Sequence, residues 1–203
     1  DCGEVAAQTA ATCISEHIDA CPNKAKSMDV LQAAVIYANN TIHAHRGSWS
    51  KMCCVLTAAL IDLDSGQVDI CHIGDTRLYT YIDGVLRKVT VDHSVVSPYE
   101  QSGKLTEYEA MHHPLRNQIT RAVGSNILQW GTEYVQCHTL NLSAPCTIML
   151  CSDGLYDLVH SSEITPILAS PTSVNQRVEM LIGAALKAGG KDNITVIVID
   201  LIE

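Results

Sequence analysis

Thr147-Ile148-Met149-Leu150-Cys151-Ser152-Asp153-Gly154-Leu155-Tyr156-Asp157 is the stretch from which the remainder of the chain is read. An apolar run ends in a Ser-Asp-Gly, so the segment reads as a buried strand that delivers a carboxylate at its rim. The pattern returns in reverse near the end of the chain, where Lys191-Asp192-Asn193 precedes the apolar run Ile194 to Ile199. A carboxylate at a buried strand end is costly unless a cation, a donor or water compensates it, and two of them on converging strands invite a divalent metal.

Upstream of that strand the apolar rhythm has a period of two. Cys53 to Leu63 is a long apolar run, Asp64-Ser65-Gly66 a turn, Val68 to Ile73 a strand, and Leu78 to Ile82 alternates up to a hairpin turn at Asp83-Gly84 that leads into Val85 to Val89. This predicts an antiparallel meander, with further strands at Tyr134 to Leu142, Thr147 to Cys151 and Ile194 to Ile202. Helical spacing marks Val5 to Ile18, with Asp1 and Glu4 placed as a capping box, and Met28 to His45. It marks Ser162 to Ala169 and Ser173 to Lys187 as well, the latter opened by a Ser173/Gln176 capping box and stopped by Gly189-Gly190. Between about residues 94 and 126 the rhythm weakens, leaving one short helix capped by Thr106 and Glu109; a long irregular insert of this kind is usually functional or mobile. The expected architecture is an α/β (α+β) sandwich with mostly antiparallel sheets.

At 203 residues and 47% hydrophobic content, the chain is long enough for a sizeable core and is read as one domain over 1–203. Its 13 Lys+Arg against 22 Asp+Glu give a net charge of −9, which argues against nucleic acid and anionic membranes as partners. An acidic protein that handles anionic substrates needs local cationic charge, a second reason to expect a metal. Nine cysteines, scattered without a CxxC pair, read as reduced, buried thiols of a cytoplasmic protein. No signal peptide or spanning segment is apparent.

Asp75 follows a strand that must turn at Gly74, in His72-Ile73-Gly74-Asp75-Thr76-Arg77; by itself it reads as a turn residue paired with Arg77. Together, Asp75, Asp153 and Asp192 form a set of hard oxygen ligands with no His or Cys beside them, which suits Mg²⁺ or Mn²⁺. Asp157, one helical turn past Asp153, is either a fourth ligand or a carboxylate favoured by a helix start. The run Cys71 to Arg77 also fits the C-x5-R pattern of cysteine-dependent phosphatases. Asp75 inside an anion cradle and a strand where the cradle needs a helix N-terminus both argue against it, so Cys71 is read as strand interior. The histidines, including the pairs His43/His45 and His112/His113, have no zinc spacing. In the insert, Arg116 and Arg121 stand out as cations able to grip a phosphorylated substrate.

In order along the chain, Gly3-Glu4-Val5-Ala6, Thr57 to Asp62, GDTRLYTY at 74–81, VDHS at 91–94, LTEYEA with HPLRNQITRAVG, CSDGLYDLV and KDNITVIVID resemble the metal-dependent protein phosphatases of type 2C in their compact bacterial form. The resemblance implies a four-layer α-β-β-α sandwich, two sheets face to face with a helix pair on each outer side, and hydrolysis of phosphoserine and phosphothreonine with two or three Mn²⁺ or Mg²⁺ ions. It further implies that Asp153 and Asp192 bind the binuclear centre and that Asp75 belongs to a weaker third site shared with Asp153 and Asp157. Asn193 and Gly154 would support those ligands, while residues 94–126 form a flap carrying Arg116 and Arg121. The catalytic group is then a metal-activated water rather than a side chain. The bridging Asp and a phosphate-binding Arg are implied upstream of Asp1, in a segment this sequence does not contain; their absence also motivates the alternative of a non-catalytic phosphoprotein-binding relative. Phosphorylated proteins, with a cognate Ser/Thr kinase acting on the same substrates, are the implied partners of a monomer.

Overall fold

The structure, a computed structural model, describes residues 2–22, 27–45, 52–143 and 145–202. In chain order the elements are α1 (Gly3–Asp19), α2 (Met28–His45), β1 (Leu56–Ile61), β2 (Gln67–Ile73), β3 (Arg77–Ile82), β4 (Val85–Lys88), α3 (Ser97–Gln101), α4 (Glu107–Met111), β5 (Gln136–Asn141), β6 (Cys146–Cys151), α5 (Asp153–Tyr156), α6 (Ser161–Leu168), α7 (Val174–Lys187) and β7 (Val196–Leu201). They form two compact units, residues 1–74 with 120–142, and residues 75–119 with 143–203.

The first unit is the antiparallel sheet β1-β2-β5 with α1 and α2 against it. Its core is built from Ala6, Ala10 and Ile14 of α1, Leu31, Val35, Ala38 and Ile42 of α2, and Cys71 and Ile73 of β2. Alanines on the facing stripes let the two helices approach closely, while the longer aliphatic side chains fill the space over the sheet. Asn39, fully buried in α2, is satisfied by the Gly124 amide at 2.7 Å and the Asn126 carbonyl at 2.7 Å.

The second unit is the antiparallel sheet β4-β3-β6-β7 with α5, α6 and α7. Met149, Leu155, Ile164, Leu181, Ala185 and Val198 are its centre. Expected caps are present on α4, where Thr106 and Glu109 close a capping box, and on α7, where Ser173 and Gln176 do so; α6 has one from His160 and Glu163. The mixed class with two antiparallel sheets, each with its own helices, is the one expected.

Several local expectations are corrected. The meander does not run through: β2 pairs with β1 and β5, whereas β3 pairs with β4 and β6, so the chain changes sheet at Gly74-Asp75-Thr76. Gly74 has φ +110, and a Cβ there would lie 2.3 Å from Val55 Cγ1, so only glycine fits that exit. The Asp83-Gly84 hairpin is as expected, both residues having positive φ, 50 and 80. Helix α1 starts at Gly3 with Cys2 at the N-cap and no side-chain cap bond, while Asp1 lies outside the described residues. The insert holds two short helices, α3 and α4, where one was expected. Among the described residues no helix is long and apolar enough to cross a membrane.

Candidate metal centre

The antiparallel pairing of β6 with β7 places Cys151 opposite Val196, so the segments just beyond those two residues run side by side. Ser152 ties them together: its amide donates to the Thr195 carbonyl at 3.1 Å, its hydroxyl donates to the Asn193 carbonyl at 3.0 Å, and the same oxygen accepts from the Thr195 amide at 3.0 Å. Asp153 and Asp192, next to the joined residues, are thereby brought to one place. Gly154 is required by the same contact, because a Cβ there would sit 2.3 Å from the Asn193 carbonyl oxygen. Each Asp orients its carboxylate on the following amide, Asp153 on Gly154 at 2.9 Å and Asp192 on Asn193 at 2.7 Å.

Asp153, Asp157 and Asp192 line a cavity of about 370 Å³ together with Gly154, Met111, His112, Arg116, Asn117 and Lys191. A neighbouring cleft of about 20 Å³ is lined by Asp75, Asp92, Asp157, Arg77, Arg116 and Tyr156, among others. That is room for a single water or ion. Met111, Arg116 and Asp157 belong to both walls.

Burial and mutual repulsion dominate the electrostatics of these carboxylates. Burial, then the fields of Asp192 and Asp157, raise the Asp153 carboxyl above its usual range. Burial, then Asp153 and Asp92, push Asp75 up to about 6. Asp157 is raised by burial although Arg116 Nε donates to it at 2.9 Å and opposes the shift. A divalent cation placed among these oxygens reverses the penalty.

Arg77 does not pair with Asp75. Its guanidinium is buried, donates to Asp92 at 2.6 Å and lies 3.5 Å over the Tyr156 ring, whose hydroxyl donates to the Asp75 carbonyl at 2.7 Å. Asp92 and Tyr156 thus hold the Asp75 turn, a role that spacing alone could not reveal because residue 92 is remote in sequence. Cys71 is fully buried in β2, which removes it as a nucleophile in an anion cradle. Arg121 belongs to the first unit, where it donates to the carbonyls of Glu133 at 2.7 Å and Tyr134 at 3.1 Å. His112 and Lys191 also line the cavity; the sequence offered His112 only as a histidine without zinc spacing and Lys191 only as the neighbour of Asp192, so neither was assigned to the site.

The donor set fits a hard dication: oxygen ligands only, mutually repelling, at the mouth of a cavity. Among the described residues no group of three His, Cys, Asp or Glu is close enough to hold an ion by itself. A site of one or two carboxylates completed by water is the usual arrangement for Mg²⁺. Asp153 with Asp192, and Asp75 with Asp157, are the residues that would hold ions here.

A family model described as protein phosphatase 2C matches residues 2–187. The serine/threonine phosphatase stp of Listeria welshimeri is 31% identical over 193 residues, 95% of this chain and 72% of the relative. The serine/threonine protein phosphatase PstP of Mycobacterium tuberculosis is 34% identical over 205 residues, 99% of this chain and 38% of the relative. A crystal structure of the M. tuberculosis PstP superposes with a TM-score of 0.87 at 33% identity, covering 100% of this chain and 83% of that one. The PstP catalytic domain in complex with two manganese ions does so with a TM-score of 0.84 at 30% identity, covering 98% and 82%.

Proposed function

Because this chain belongs to the protein phosphatase 2C family, we propose that it is a metal-dependent serine/threonine protein phosphatase that hydrolyses phosphoserine and phosphothreonine on proteins. The observation that carries the reading is the meeting of Asp153 and Asp192, 39 positions apart, at one cavity through the Ser152 staple. When bound, Mn²⁺ or Mg²⁺ supplies the acidity that readies a water for in-line attack and the charge that neutralises the phosphoryl oxygens.

The chain's own residues do the rest. Asp153 and Asp192 present oxygens oriented by the amides of Gly154 and Asn193, so little reorganisation is needed on loading. Asp75, kept in place by the Tyr156 hydroxyl, serves a weaker additional site with Asp157. Arg116 holds Asp157 from the cavity wall and is the flap cation we assign to the substrate side, in preference to Arg121, which is engaged with backbone carbonyls. Residues 94–126 are the flap of a single catalytic domain in this reading. Phosphoproteins modified by a cognate kinase are the substrates, and signalling in the cytoplasm of a bacterium is the setting that nine free thiols and the bacterial relatives favour.

A phosphothreonine peptide assayed with Mn²⁺, with chelator and after thiol alkylation tests the reading, using a chain that includes any residues preceding Asp1. Turnover should need Mn²⁺, survive alkylation, and fall in Asp153→Asn and Asp192→Asn beyond the ~10–100-fold that loss of a supporting residue costs. Mn²⁺ binding without turnover in the unaltered protein would replace it with the phosphoprotein-binding alternative.

A further inference from the structure

The first unit contains a second reactive constellation, made of sulfur. The β2–β5 register sets Cys71 directly opposite Cys137, and their Sγ atoms are 3.5 Å apart. Opposed residues of an antiparallel pair have Cα atoms about 4.5 or 5.5 Å apart. Disulfides bridge Cα separations of about 4.4–6.8 Å, so the spacing of opposed residues in this register is compatible with a bridge between the two sulfurs.

The two thiols are unequal in the way a redox pair requires. Cys71 is fully buried, with Met28 Sδ 3.8 Å from its sulfur, whereas Cys137 is partly exposed. The contact with Cys137 and then burial push the Cys71 thiol up, while the sulfur contact with Cys71 brings the Cys137 thiol down. Cys137 is therefore both the sulfur that reagents can reach and the more acidic of the two. Burial drives Cys54 and Cys151 the other way, up to about 12.

We propose that Cys71 and Cys137 are a modification site, a cross-strand dithiol that hydroperoxides oxidise to a reversible intramolecular disulfide. The Cys137 thiolate attacks one peroxide oxygen; the O–O bond breaks, and hydroxide leaves and is protonated to water, with Cys137 left as the sulfenic acid. The Cys71 sulfur then attacks the Cys137 sulfur, the S–S bond forms, the S–O bond breaks, and the departing hydroxide leaves as water with the Cys71 proton. Two thiols and one hydrogen peroxide give one disulfide and two waters, the peroxide taking both electrons. The nearby second thiol traps Cys137 at the reversible rung, before the irreversible sulfinic acid. The site is independent of the phosphatase reading.

Hydrogen peroxide titration of the folded, full chain, followed by alkylation of the remaining thiols and peptide mass spectrometry, tests the proposal. The expected result is the loss of two free thiols and a Cys71–Cys137 linked peptide that dithiothreitol removes. Cys137→Ser, at the partly exposed member, should abolish the link and leave Cys71 unoxidised; Cys71→Ala should leave a dimedone-reactive sulfenic acid on Cys137. Should Cys71→Ala fail to fold, the map of the unaltered protein and Cys137→Ser still decide. A different linked pair, linkage only in denaturant, or Cys137 passing straight to sulfinic acid in the unaltered protein would overturn the assignment.

Discussion

Gly154 shows how one residue's absence of a side chain supports a site. A Cβ at 154 would lie 2.3 Å from the Asn193 carbonyl, and that carbonyl is backbone, so relief requires the segment carrying Asp192 to move. Gly154→Ala should lose about 1–3 kcal/mol of stability, the usual scale of overpacking. It should also weaken Mn²⁺ binding; unfolding in chelator and calorimetric titration measure the two effects separately. Asp75 makes a prediction with a sign. Its carboxyl is raised from 3.8 to about 6, so the folded state holds the proton more tightly than the unfolded state does. The associated stability is fully present below about pH 4 and is lost as pH rises through 6, a penalty of order 3 kcal/mol above it. Asp75→Asn should therefore make the metal-free protein more stable at pH 7.5 and flatten its thermal-midpoint profile between pH 4 and 6. No gain at pH 7.5 would show that the carboxylate is solvated rather than confined.

Among the elements, α7 is a test of local coding. Ser173 and Gln176 reciprocally satisfy the first amides, and Leu181 and Ala185 bury its inner face beneath β7. Ser173→Ala should cost about 1 kcal/mol in chemical denaturation. The Mn²⁺ response should be unchanged, because the cap is not part of the cavity wall. Helix α4 is anchored by more than its cap. Glu107 accepts from the Ser161 amide at 3.0 Å and from the Ser161 hydroxyl at 2.5 Å, and lies 3.0 Å from His160 Nε2, fastening the insert to the start of α6. The capping box of α4 was legible in four residues; its fastening to residues 160 and 161 was not, because nothing in a local pattern encodes a partner more than fifty positions away.

For the molecule as a whole, a net charge of −9 and carboxylates gathered at one cavity predict that dications stabilise the fold. Saturating Mn²⁺ at about 100 times its dissociation constant should add roughly 2.7 kcal/mol, visible as a rise in thermal midpoint that chelator reverses. Asp153→Asn should respond less. No rise in the unaltered protein would remove the cation from the site. Residue order alone carried the strand and helix identities, the Asp83-Gly84 hairpin and the capping boxes, since periodicity, turn chemistry and caps act over two to seven neighbours. It also carried the candidates Asp153 and Asp192, because a polar rim on an apolar run is visible in one dimension. The jump between sheets at Gly74, the capture of Arg77 by Asp92, the Tyr156 support of Asp75 and the Cys71–Cys137 contact belonged to tertiary structure. Each depends on which strands become neighbours, and that is decided by the summed burial of remote segments rather than by any stretch read by itself.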